Sequence, residues 1–433
     1  MLVRHCRQLN FITTMARVRS STQRPYDVVL YGATGFVGQQ TVAYFARHAK
    51  GVHWAIAGRN QSKLEAVLRG TKVRVPIIVA DAQDSTALKE LAASTRVVLS
   101  SAGPFGLYGS ALVAACVQQR THYVDIAGET PWVRAMIDAH HAQAAADGTR
   151  IVPCCGFDSV PSDLGAYLVA QEMMRRYGQP CVSIKASFSL RGGFNGGTLA
   201  SVLNIMDKGQ TEALGNAFLL NPDHQASAAD AVHTDPNSPY YDADFDAWHG
   251  PFFMGPVNTR VVRRSAALWQ KHAQKQGQAD GKAAYAENFS YQEYLRFGTG
   301  PLAATVAAGM SVGSLVSQMA LRFAPVRKLT AALVPKPGQG PSVHSMDNGS
   351  YRCQLIGKSA LGQQVRAVLG DTGDPGNRAT TKMVCESALA LALDTAMLPG
   401  AEQRGGVLTP AFALGNVLVQ RLRAAGMKLD VTP

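Results

Sequence analysis

From residue 26 onwards, short apolar runs alternate with segments of helical spacing. The runs fall at residues 28–31, 53–57, 75–80, 96–100, 122–126 and 150–153. Strands joined through a helix must lie parallel, because the chain has to cross over the sheet before it pairs again. Six such runs predict an α/β, Rossmann-type doubly wound parallel sheet. A further helix is predicted over residues 161–177, with Pro161 in its first turn and Gly178 closing it. Beyond it the pattern changes. Residues 181–190 alternate as a strand, 287–297 do so more weakly, and 351–357 pair with 364–369 across a turn at Gly362. These features predict a second α+β domain rich in antiparallel strands. Residues 222–282 carry much Asp, His, Pro, Gly and Gln and read as surface excursions. Helices over 380–397 and 409–425 are placed to return onto the first domain. The division expected is a poorly ordered basic leader at 1–26, a Rossmann domain at 27–178, an α+β domain at 179–375 and C-terminal helices at 376–433.

A chain of 433 residues is too long for one ordinary core. With 46% hydrophobic and 17% charged residues it is globular rather than disordered. Five leader arginines, at 4, 7, 17, 19 and 24, supply five of the net +12, so +7 remains for the folded body. That excess suits an anionic ligand or an acidic membrane surface. No basic stripe is interleaved with aromatics, so nucleic acid is not expected. The seven scattered cysteines form no CxxC pair and read as reduced thiols, which points to the cytoplasm. No metal site is expected, since there is no HExxH and the adjacent His140 and His141 diverge on a helix. The leader lacks the unbroken apolar run of a secretory signal. It reads as an upstream extension before Met15 rather than as a transit peptide.

The first strand runs into Gly32-Ala-Thr34-Gly35-Phe36-Val37-Gly38 and then an amphipathic helix. Glycines in this turn let the backbone approach a pyrophosphate, and the helix start offers free N–H groups and a positive dipole end. The second strand ends in Arg59, where an NAD enzyme would carry a carboxylate for the ribose hydroxyls. An arginine there clamps a 2′-phosphate, so NADP is favoured. Asp81 ends the third strand, where the adenine edge is met. The fourth delivers Ser101, Ala102, Gly103 and Pro104, then Tyr108, to the edge where ligands lie. Asp125 to Glu129 and Cys154 to Ser159 reach that edge from strands five and six. Asp158 or Ser159 reads first as a helix cap. Tyr108 and Asp158 are the candidate catalytic proton donors, placed near the nicotinamide end of the strands. The loop at 191–198 is glycine-rich enough to close over a substrate or to serve as a plain connector, with Thr198 as the cap of the helix it enters.

The motifs GATGFVG (32–38), AGR (57–59), SAGPF (101–105), YVDIAGE (123–129), GFDSVPSDLG (156–165), RGGFNGGT (191–198), GDPGNRAT (373–380) and GGVLTPA (405–411) together resemble the saccharopine dehydrogenase-like oxidoreductases, including their trans-acting enoyl reductase branch. The resemblance implies NADP-linked reduction. For that branch it implies hydride transfer to an activated C=C of a lipid-like or acyl (polyketide) substrate, presented by another enzyme. No residue set for a charged amino-dicarboxylate can be matched, and no family catalytic residue carries over. A C–N or C=O reductase on the same scaffold is the alternative enzyme reading, and a non-catalytic, lipid-associated nucleotide-binding protein is the other.

Residues 299–321 carry no charge and are followed by Arg322, Arg327, Lys328 and Lys336. Pro301 and several small or polar residues make a buried core helix the first expectation, peripheral membrane contact the second and a membrane span the last. The GxSxG at 309–313 lies in this helical stretch. A hydrolase elbow requires a strand before it, so that chemistry is not expected.

Overall fold

The computed structural model describes residues 24–432 apart from 194, 276–282, 334–335 and 337. Leader residues 1–23 lie outside the described residues. Arg24 belongs to the folded body, and its guanidinium donates to the Thr95 and Gln119 carbonyls and to Thr121 Oγ1.

The six expected parallel strands are β1 (Tyr26–Tyr31), β2 (Trp54–Gly58), β3 (Ile77–Val79), β4 (Thr95–Ser100), β5 (His122–Asp125) and β6 (Arg150–Val152). They lie in the order β6-β5-β4-β1-β2-β3, every pair parallel. The reversal of order at β1 and β4 is the point beside which such sheets bind ligands. Alternate side chains of β1 enter different cores: Val28 and Leu30 one face, Val29 and Tyr31 the other.

Helix Val160–Tyr177, closed by Gly178 in the left-handed region, carries the chain to the second sheet. That sheet contains β7 (Cys181–Arg191), β8 (Tyr240–Asp242), β9 (Ala247–Pro251), β10 (Tyr285–Gly298), β11 (Ser350–Ser359) and β12 (Gln364–Thr372). All its pairs are antiparallel except β10 with β7. The tail then joins both sheets. Helix Thr380–Leu393 lies against β1, β4 and β5, β13 (Gly406–Val407) adds a parallel strand beside β6, and β14 (Lys428–Thr432) pairs with β12.

Three expectations need correction. Residues 255–275, assigned to surface excursions, form a helix whose first half is buried. Its arginines hid it. Arg260, Arg263 and Arg264 point inward and donate to carbonyls of the neighbouring loops, among them Leu214, Ala217, Leu220, His233 and Val407. Helix Gly300–Ala320 is not a buried core helix, since only Ala303, Ala307 and Ser311 are buried. At helix caps, neither Asp158 nor Ser159 makes a side-chain cap bond, and Asn195 rather than Thr198 caps helix Gly196–Asp207. Ser311 of the GxSxG donates to Ala307 O at 2.9 Å and sits in the middle of its helix rather than at a strand-to-helix turn.

Candidate active site

Along the carboxyl ends of β1 to β4 runs a cleft of about 1700 Å³. Its wall includes Gly32, Thr34, Gly35, Phe36 and Val37 from the first turn, Arg59 and Asp81 from the ends of β2 and β3, and Ser101, Ala102 and Gly103 after β4. Gly38 and Pro104, expected among these, do not line it. Gly38 lies one layer deeper, where a Cβ would sit 2.2 Å from Gly32 O and 2.9 Å from Ser101 Oγ. Any side chain there would lift the helix off the strand and its N-terminus away from the cleft. Ser101 Oγ donates to the carbonyls of Tyr31 and Gly32, which fixes the fourth strand's loop against the first turn.

Helix Phe36–His48 has no acid in its first turn and no side chain capping it, so its leading N–H groups are open to an anion. Arg59 is exposed and carries no ion pair among the described residues. An open helix start, a backbone packed so closely that only glycine fits, and a free guanidinium one strand away suit an NADP molecule carrying an extra phosphate on its adenosine ribose.

Tyr108 and Asp158 both line the same cleft. Desolvation pushes the Asp158 carboxyl up to about 6. Asp125 has a different role: it is buried, accepts from Ala127 N at 2.9 Å and Cys154 N at 3.0 Å, and so ties the end of β5 to the end of β6. Burial raises its carboxyl to about 7.

Glu129, which the sequence places at this edge after β5, gathers the loops. Its carboxylate accepts from Phe105 N at 2.6 Å and Gly106 N at 3.1 Å on one side, and from Ser201 Oγ at 2.8 Å and Asn204 Nδ2 at 3.2 Å on the other. The loop after β4 is thereby fastened to helix Gly196–Asp207. The glycine-rich 191–198 segment is held from a second side: Asp374 accepts from Gly193 N at 2.6 Å and from Asn377 Nδ2 at 2.6 Å, and Asn195 Nδ2 donates to Asn377 Oδ1 at 2.8 Å. Two motifs about 180 positions apart thus meet across the cleft, where Asn195, Gly197 and Thr198 form part of its wall.

Away from the nucleotide turn a cluster of apolar side chains enters the lining, among polar ones that include Asp235, Gln318, Arg322 and Arg327. Phe252, Phe253, Met254 and Val257 follow β9, and Val312, Leu315 and Leu321 come from helix Gly300–Ala320 and its end. Sequence reasoning did not find these residues as site residues, because their own stretches show only core-like or loop-like character.

A family model described as the saccharopine dehydrogenase NADP binding domain matches residues 28–152. A candidate trans-acting enoyl reductase of Mycobacterium tuberculosis is 38% identical over 433 aligned residues, covering 95% of this chain and 99% of its own. A trans-acting enoyl reductase of Mycobacterium ulcerans is 34% identical, again covering 95% and 99%. The apo L-Glu-forming saccharopine dehydrogenase of Saccharomyces cerevisiae superposes with a TM-score of 0.51 at 12% identity, over 94% of this chain and 99% of that one. At that identity the likeness is one of fold.

Proposed function

We propose, from the premise that the chain belongs to the trans-acting enoyl reductase family of saccharopine dehydrogenase-like, NADP-dependent oxidoreductases, that it reduces an activated C=C in a long acyl substrate built on another enzyme. The observation that carries this reading is the continuity of the cleft: one wall holds the glycine turn and Arg59, and the other carries the apolar cluster of Phe252, Met254, Val257, Val312 and Leu315. An acyl chain would bury against Phe252, Met254, Val312 and Leu315. The six described cysteines are buried free thiols, which supports a cytoplasmic setting.

Bound NADPH would supply a hydride to the carbon β to the carbonyl that activates the double bond. Arg59, the 32–37 turn and the 101–103 loop would hold the nucleotide, and Tyr108 or Asp158 would deliver the proton that the α carbon takes up. Two electrons and two hydrogens would thus be added across the double bond, and the activating carbonyl would stay intact. Glu129 and the Asp374–Asn377–Asn195 set position the loops around this centre without touching the reacting atoms.

The test is to incubate the protein with NADPH and a long-chain 2-enoyl thioester, following NADPH absorbance and product mass. A gain of two hydrogens with matching NADPH loss is the expected result. Oxidation of NADPH with a ketone or imine but not with the enoyl thioester would replace this reading by the alternative reductase. No turnover on any of the three, with NADPH bound, would leave a non-catalytic binding protein.

A further inference from the structure

We propose that the helical pair Gly300–Ala320 and Ala324–Leu333 docks on an anionic phospholipid bilayer, setting the apolar mouth of the cleft at the membrane surface.

Only one narrow stripe of the first helix is seated on the protein. Ala303, Ala307 and Ser311, small and four residues apart, lie against β9, where a Cβ on Gly250 would come within 3.5 Å of Ser311 Oγ. The rest of the helix is apolar and faces outward: Leu302 is 77% exposed, Met310 51% and Val316 57%. The surface continues through Phe323 to Leu329 and Leu333 on the second helix. Soluble monomers rarely leave so much contiguous apolar surface to water, and a patch of this kind marks a contact.

Charge identifies the partner. Residues 294–346 contain no Asp or Glu, and Arg322, Lys328 and Lys336 are exposed around the patch. An anionic lipid surface attracts such a rim. A second copy docked through the same face would bring these cations against each other, because a two-fold contact repeats the patch on both sides. The turn between the helices is fixed: Arg327 pairs with Asp207 at 2.7 Å and donates to the Leu321 and Arg322 carbonyls at 3.1 and 2.9 Å. With one stripe held on β9, the first helix lies on the bilayer rather than crossing it. That same helix contributes Val312 and Leu315 to the cleft, so an acyl chain leaving the lipid follows one apolar wall inward.

The experiment is flotation of the full chain, without substrate, on vesicles of phosphatidylglycerol and phosphatidylcholine and on vesicles of phosphatidylcholine alone. Binding is read apart from turnover, so it stands or fails independently of enoyl reduction. Wild type is expected to float with the anionic vesicles at low salt and to be released by high salt or alkaline carbonate. Lys328→Glu with Lys336→Glu, and separately Leu302→Gln with Met310→Gln and Leu329→Gln, are expected to weaken flotation roughly tenfold or more. All five positions are exposed and lie outside the cleft wall, so an unchanged NADPH affinity shows that each variant is folded. The proposal is overturned by absence of flotation, by equal flotation on both vesicles, or by retention in the membrane after carbonate. It is also overturned if the apolar variant dissolves a dimer of the chain while vesicle binding persists.

Discussion

A dinucleotide lying along the strand ends brings its adenosine ribose to the end of β2. A carboxylate there would accept hydrogen bonds from a free 2′-hydroxyl and repel a phosphate; an arginine such as Arg59 would do the reverse. Charge-assisted bonds of a guanidinium to phosphate contribute about 1.5 to 3 kcal/mol. Arg59→Ala should therefore weaken NADPH roughly ten- to hundredfold and leave NADH nearly unchanged. Calorimetric titration of both cofactors checks this, and equal losses for both would reduce Arg59 to a surface charge. Asp158 allows a second test. A proton donor acts in its protonated form, and desolvation places this carboxyl at about 6, so turnover should fall as pH rises through that value. Asp158→Asn should remove the pH limb and lower turnover at least about tenfold, within the usual range of general acid catalysis. If Tyr108→Phe instead causes the loss at unchanged NADPH affinity, the donor is Tyr108. Wild-type turnover in both variants eliminates both. The positions of the glycine turn and of Arg59 along the cleft were legible in the sequence because strand ends follow from the apolar runs. The absence of Gly38 and Pro104 from the lining was not, since depth beneath a surface has no one-dimensional signature.

Elements are joined here by a few buried polar groups rather than by apolar contact alone. Glu129 binds two amides of the loop after β4 and two side chains of helix Gly196–Asp207. Glu129→Ala strands those donors, each at a cost of about 1 to 3 kcal/mol where it stays buried. Glu129→Gln keeps one acceptor oxygen but turns an amide toward donors, so it should lie between Ala and wild type. The expected pattern is a KM for the acyl substrate raised several-fold, with partial recovery in Gln. An equal fall in stability for Ala and Gln with kinetics untouched would make Glu129 a structural residue only. The motifs that meet at this junction were visible as motifs, yet their contacts were not, because they close over long sequence separations. Helix Gly255–Lys275 was missed for a related reason. Val257, Val261 and Val262 keep the helical spacing, but the inward-facing Arg260, Arg263 and Arg264 make the stretch polar overall, as a surface segment would be. Helix Gly300–Ala320 errs the other way, apolar in sequence and exposed in space.

Across the molecule, one continuous core runs from Val28 in the first sheet through helix Val160–Tyr177 to Leu429 in the second. Asp163 stands within it, fully buried. One of its oxygens accepts from Ser265 Oγ of helix Gly255–Lys275 and the other from Ala411 N at 2.7 Å, where it satisfies an open amide in the first turn of helix Pro410–Ala424. A single carboxyl thus connects the helix leaving the Rossmann sheet, the buried arginine helix and the tail. Burial raises it from an ordinary value of 3.8 to about 7 in the fold. A raised carboxyl contributes stability that is complete below its unfolded pKa and is lost as pH rises through its folded one. Between about pH 4 and 7 the native state therefore holds a proton that the unfolded chain has released, and the melting temperature of the wild type should decline across that window. Asp163→Asn preserves the shape without the ionisation and should make the decline shallower, with the raised Asp125 and Asp158 carboxyls still contributing to it. Asp163→Ala leaves the Ser265 hydroxyl and the Ala411 amide without their acceptor and should cost about 2 to 5 kcal/mol at any pH. Because all three helices share the one core, the loss should appear as one cooperative transition at a lower temperature. Calorimetry of the three proteins from pH 5 to 8 decides the matter: if the Asn variant follows the wild-type pH profile, Asp163 is ionised in the native state and its burial does not govern the stability of the whole.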